Sequence, residues 1–158
     1  MTLDQYASLG EIIAAIAVVA SLVYVARQLG QHTAMMRANA SAERVQRDAE
    51  LNSRVSDSQE FTEIWLKGGS DFDSLGEAER FRLIFFNRSA LVHWHNMFGL
   101  RAQNLLPDGD WNELVWLIQN LAGPRQDNAE TWRIFRDSFD QPFREFMDAQ
   151  YSSAASQQ

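Results

Sequence analysis

"GEIIAAIAVVASLVYVARQLG", residues 10–30, is the stretch whose reading decides the rest of this chain. Between Glu11 and Arg27 it holds fifteen residues without a charge. Three structures meet that description: a signal peptide, a buried core helix and a membrane span. A signal peptide opens with a basic segment, yet nothing before Arg27 is basic, and Asp4 and Glu11 are acidic. Against a core helix stands the helical wheel. From Ile12 to Ala26 the only polar side-chain groups are the hydroxyls of Ser21 and Tyr24, so the helix is apolar all round and must be enclosed on every side. The rest of a chain this short, with its own Trp and Phe to bury, is too small to enclose it.

Length alone falls short of the ~18 apolar residues that signal a span. The flanks supply the difference. Arg27 can keep its stem in the apolar layer while its guanidinium reaches the interface, and Glu11 lies near the other end. The usable span is then Leu9 to Leu29, which at ~1.5 Å per residue reaches ~31 Å, close to the ~30 Å hydrocarbon thickness. Tyr6 and Tyr24 suit the interfaces. Arg27, Arg37, Arg44 and Arg47 follow the span and no Lys or Arg precedes it, so the positive-inside rule puts the amino terminus outside and the carboxy-terminal portion in the cytoplasm. The expected location is a bacterial inner membrane, with membrane lipid as a partner of residues 27–47 as well.

The 158 residues allow one modest domain besides an anchor. Cysteine is absent, which removes disulfides, thiolate nucleophiles and thiolate metal ligands. A net charge of −7 argues against nucleic acid as a partner. The charge is uneven: residues 1–55 carry five Arg against five acids, while all ten Phe and all five Trp fall beyond residue 56. The predicted organisation is an N-terminal tail and transmembrane helix over 1–30 (span about 9–29), a helical extension over 31–55, a helical bundle over 56–150 and a flexible tail over 151–158.

Helix starts and stops divide the bundle. Ser56 and Gln59 have capping-box spacing, and Gly68-Gly69 reads as the stop of a short helix. Ser74 and Glu77 open a long helix to about Leu105, Asp110 and Glu113 cap another that ends at "AGPR", and Asp127 and Glu130 start the next. Pro142 marks an end or a kink, and Asp140 caps a last helix to about Gln150. No segment alternates with period two between hairpin signals, so the fold class is all-α with no sheet.

Laid out in this way, the chain resembles a group of bacterial single-pass membrane proteins without an assigned activity. The likeness is carried by "LGEIIAAIAVVASLVYVARQL", "QHTAMMRANA", "EIWLKG", "LGEAERFR" and "TWRIFRDSFDQPFREFMDA", in that order. It implies an amino-terminal anchor followed by a small helical domain, and it brings no catalytic residues. The "HWH" segment departs from that pattern.

Along the first helix Gly10, Ala14, Ala17, Ser21, Tyr24, Gln28, Gln31, Met35, Ala38, Ala42, Val45 and Ala49 recur at alternating steps of four and three, the spacing of a left-handed packing seam. Most are small, and in lipid small side chains let backbones approach closely. Self-association is therefore expected through Gly10, Ala14, Ala17, Ser21, Met35, Ala38, Ala42 and Val45. An alanine-rich helix packing on its own bundle would show the same spacing.

His93 and His95 are two apart, which on a helix turns ~200° and sets the rings on opposite sides, so no metal site is read there. His95 does share a stripe with Phe81, Ile84, Arg88, Leu91, Phe98 and Ala102. Arg88 and His95 on that stripe form the candidate ligand-binding pair, suited to a carboxylate or phosphate in a pocket. Pairing with acids of neighbouring helices is the structural alternative. Phosphate-loop, calcium-loop and serine-nucleophile signatures are missing, and no cofactor or catalytic residue is assigned.

The function expected on these grounds is a membrane-anchored, non-catalytic interaction or assembly protein that self-associates through its N-terminal helix and presents an acidic helical surface to a protein partner. The alternative is a membrane-tethered sensor or enzyme binding a small anionic ligand near Arg88 and His95. An oligomeric pore is a third option, although Ser21 alone gives it a poor aqueous lining.

Overall fold

The computed structural model describes residues 3–123 and 125–155, with side chains apart from those of 3–9, 12, 154 and 155. The described residues are mostly helical, joined by short connections, and include no strand. Six helices follow one another: α1 (Leu3–Ser56), α2 (Gln59–Ser70), α3 (Glu77–Ala102), α4 (Asp108–Leu117), α5 (Gln126–Phe135) and α6 (Gln141–Ala155). One-turn 3-10 segments lie at Phe72–Ser74 and Arg136–Ser138, and a π-helical turn at Ile118–Ala122 extends α4.

The chain divides into two units, Met1–Asn39 and Ala40–Gln158. The first is the apolar part of α1. Gly30 does not interrupt it; the residue is helical, and nothing would crowd a Cβ there. Leu9 and Tyr6 lie among the residues whose side chains are not described.

The second unit includes α1 from Ala40 onward. Ala40 is buried, Leu51 packs on the main core, and the Thr62 hydroxyl donates to the Val55 carbonyl. Arg44 fixes α4 by donating to Asp110 at 3.3 Å and Glu113 at 3.0 Å. The Ser41 hydroxyl also donates to Asp110. Asp110 and Glu113 thus serve α1 instead of capping α4, whose first turn follows Pro107 with Asp108 near its positive end.

Several helix ends are set by partners that spacing does not reveal. Ser58, not Ser56, caps α2, accepting the Phe61 N–H. Gly68 and Gly69 lie in the last turn of α2, which ends at Ser70. A Cβ on Gly68 would overlap the Leu83 side chain, and one on Gly69 would stand 2.8 Å from the Arg125 guanidinium. The pair permits close approach of α2 to α3 and α5. α3 begins after Gly76, whose N–H donates to Glu79 at 2.7 Å. It stops at Ala102 because Asn104 adopts φ 57°, and the Leu105 N–H returns to the Leu100 carbonyl. Asp140 accepts the Phe143 N–H at the start of α6. The helix runs to Ala155, so Tyr151, Ser152 and Ser153 are helical and no tail; residues 156–158 lie outside the described part.

The main core gathers α3, α4, the π turn, α5 and α6. Phe143, wholly buried, sits at its centre, ringed by His95, Phe98, Trp132, Phe139 and Phe146 at centroid distances of 4.9–6.2 Å. A smaller cluster of Phe61, Ile64, Phe72, Leu75 and Leu83 joins α2 to the first half of α3.

Candidate functional site

The apolar half of α1 is uncovered. Every described side chain from Gly10 to Asn39 is exposed, including Ile16, Leu22 and Leu29 at more than 60 % each. Several of its polar side chains bond within the helix. The Ser21 hydroxyl donates to the Ala17 carbonyl at 2.9 Å, the Tyr24 hydroxyl accepts from Gln28 at 2.8 Å, and Thr33 donates to the Leu29 carbonyl at 3.0 Å. The seam residues Gly10, Ala14, Ala17, Ser21, Met35, Ala38, Ala42 and Val45 are all exposed.

On α3 the buried stripe is Leu83, Asn87, Ala90, Leu91, Trp94 and Met97. It is rotated from the stripe followed in the sequence: Phe81, Arg88 and Ala102 are exposed. The helix is apolar on more than one side because several helices pack around it, so periodicity does not select the inner face.

Arg88 and His95 are engaged separately. Arg88 lies over the Phe135 ring, 5.1 Å from its centroid, and borders a shallow groove with Arg54 and Arg82. His95 is half-buried among the Phe139 and Phe143 rings, its Nε2 3.4 Å from Asp140 Oδ2. The Phe143 N–H bond, and then His95, hold the Asp140 carboxyl below the usual carboxylate range. His93 points the other way, toward α1, with Nε2 3.2 Å from Asp48 Oδ1 but off the line of a hydrogen bond. The opposite facing of the two rings follows from their spacing. No three His, Asp or Glu converge as metal donors among the described residues.

The concentrated polar chemistry of the second unit lies elsewhere, around Asp127. This carboxylate is wholly buried. It accepts from Arg125 through Nε at 3.1 Å and Nη2 at 3.0 Å, and from Asn87 Nδ2 at 3.0 Å. Arg125 also donates to the Trp65 carbonyl while its guanidinium covers the Trp65 ring. A buried carboxylate keeps its charge only with such partners. Beside this network a cavity of about 180 Å³ opens between α1, α2, α3, the end of α4 and α5. The π turn forms part of its wall through Leu121 and Ala122, with the Gly123 N–H bonded five residues back to Ile118. Such wide turns recur at functional sites.

None of this was legible as a site in the sequence. One signal was present: Asn87 interrupts the apolar run Leu83, Ala90, Leu91, Trp94 at core spacing, and a buried amide there needs a partner. A second polar stretch, around Trp132, is built from Asp148, which accepts from Trp132 Nε1 at 2.9 Å and from Arg136. No family model matches the chain, and neither a curated protein nor a solved structure does.

Proposed function

We propose that this protein is a membrane-anchored, non-catalytic helical module that self-associates through its N-terminal helix. The carrying observation is the bare apolar surface of α1: no described side chain from Gly10 to Asn39 is buried. A helix apolar on all faces and without protein cover calls for lipid or other copies of itself as its surroundings. The internal bonding of Ser21 and Tyr24 supports lipid, where an unsatisfied hydroxyl costs several kcal/mol by the order of magnitude for apolar media. The arginine excess after the span supports a cytoplasmic bundle and an outward amino terminus, in a bacterial inner membrane. The exposed small-residue seam supports association between copies. The resemblance to single-pass bacterial proteins points the same way.

The chain has no cysteine, which makes labelling clean. Single-cysteine variants Ser8→Cys and Ser153→Cys are exposed to a membrane-impermeant maleimide on intact spheroplasts and after lysis. Ser8→Cys is labelled in both and Ser153→Cys only after lysis. Recovery of the protein in the soluble fraction, or the reverse labelling, rejects the anchor or its orientation.

A further inference from the structure

The cavity beside Asp127 holds a second, independent feature that points to a ligand. Asn128 lines it, is only 6 % exposed, and its side-chain amide has no hydrogen-bond partner among the described residues. Its nitrogen and oxygen are not sealed from solvent, so they reach the open space of the cavity and can bond what enters it. Across the same space Asn87 spends its Nδ2 on Asp127, which leaves its Oδ1 as an unused acceptor. Two amide groups therefore offer both donors and acceptors to whatever enters. The rest of the wall is apolar and aromatic, chiefly Leu51, Phe86, Trp94 and Leu117. Apolar walls with a few convergent polar groups are the usual make-up of a small-molecule site.

Charge narrows the ligand. Among the described residues Arg125 is the only cation lining the cavity, and Asp127 neutralises it. The carboxylates at the wall, Asp48 and Glu113, are held by Arg44. An anion would gain no free cation here and would face both carboxylates. Size narrows it further: a cavity of about 150 Å³ admits one benzene, so about 180 Å³ admits one ring with a small substituent. We propose that this cavity binds a small uncharged aromatic molecule bearing an amide-like group, the ring against Phe86 and Trp94 and the amide against Asn87 and Asn128. The site does not depend on the membrane reading, since all its walls lie within residues 48–128. The entrance is bordered by the exposed side chains of Asn52 and Leu121.

The test uses the isotope-labelled full chain in detergent micelles, titrated with 4-fluorobenzamide. The proposal expects saturable shifts of the Trp65 and Trp94 indole N–H and of the Asn87 and Asn128 side-chain amides, with the exposed Trp116 indole unmoved. 4-Fluorobenzoate, the same shape with a negative charge, binds at least about tenfold more weakly. Asn128→Leu weakens 4-fluorobenzamide by a similar factor. Should that variant not fold, Asn52→Trp, a substitution at an exposed rim position, blocks entry and abolishes the shifts. Shifts spread equally to Trp116, equal binding of the benzoate, or unaltered binding by the folded variants would each overturn the proposal.

Discussion

Arg125 lies over the face of Trp65, its guanidinium carbon 3.7 Å from the ring centroid, and from that position it reaches Asp127 with two nitrogens. α2 and the start of α5 are thereby clamped by one side chain whose own exposure is 12 %. Gly69 belongs to the same arrangement, because its missing Cβ leaves room for the guanidinium. Arg125→Leu leaves the Asp127 carboxylate buried with only Asn87 as a donor. The expected loss is about 3–5 kcal/mol of bundle stability, read from urea unfolding followed by circular dichroism. Arg125→Lys keeps the charge but neither the fork nor the stacked plane, and restores only part of the loss. The double variant Arg125→Leu with Asp127→Asn is more stable than Arg125→Leu alone, because the unpaired charge is gone. The opposite ranking would refute a charge-pairing role for Arg125.

Gly68 and Gly99 are both helical, yet their surroundings differ. A Cβ on Gly68 overlaps the wholly buried Leu83, whereas nothing lies within 4 Å of a Cβ on Gly99. Gly68→Ala should cost about 1–3 kcal/mol through overpacking. Gly99→Ala should add about 0.5–1 kcal/mol, because it removes a flexible residue from a helix without crowding anything. Thermal midpoints of the two variants therefore move in opposite directions. A midpoint that rises in Gly68→Ala would show that α2 does not pack as closely as described.

The Asp148 carboxyl is held below the usual carboxylate range first by the Arg136 guanidinium and also by Trp132 Nε1. Glu130, bonded to Arg133, is lowered as well, and so is Asp140. A folded-state value below the unfolded one means that these groups stabilise the fold above the unfolded value, and that the contribution is lost as pH falls through the folded value. Stability should therefore be flat near neutrality and fall below about pH 4. Asp148→Asn should be less stable at pH 7 and should lose less on acidification. Thermal melts at pH 7, 4 and 3 compare the two, and parallel pH profiles would dismiss Asp148 as a source of the acid sensitivity.

Ala14 and Ala17 lie on the exposed seam of α1. If copies meet there, larger side chains push the helices apart. Ala14→Leu with Ala17→Leu should convert a defined oligomer in mild detergent to a smaller species by about tenfold weaker association, while Val19→Leu, on the opposite face of the helix, should leave it intact. Sedimentation of the three proteins decides. An unchanged oligomer in the double variant would move the interface away from this seam, and a monomeric parent would remove the assembly proposal altogether.

Much of the architecture was readable from local pattern. The apolar wheel of Ile12 to Ala26 announces a helix that needs cover, and every described side chain of that run is uncovered in the fold. The absence of period-two alternation announces an all-helical chain, and Asp140 announces the start of α6. Local signals misled wherever a residue serves a distant partner. Gly68 and Gly69 do stand at the end of α2, but nothing in the local pattern signals that they also make room for Leu83 and Arg125. Asp110 and Glu113 look like caps because acids favour helix starts, but Arg44 recruits them.

The sequence by itself determined the all-helical class and the apolar character of the first helix, because both depend on neighbours three and four residues away. Tertiary structure alone decided which stripe of α3 turns inward, that Arg88 and His95 are engaged apart, and that Asn87 meets Asp127 across forty residues. Those outcomes rest on which surfaces exclude water from one another when the helices pack. A side chain's periodicity gives its direction from the helix axis, but what stands opposite is settled only by the packing.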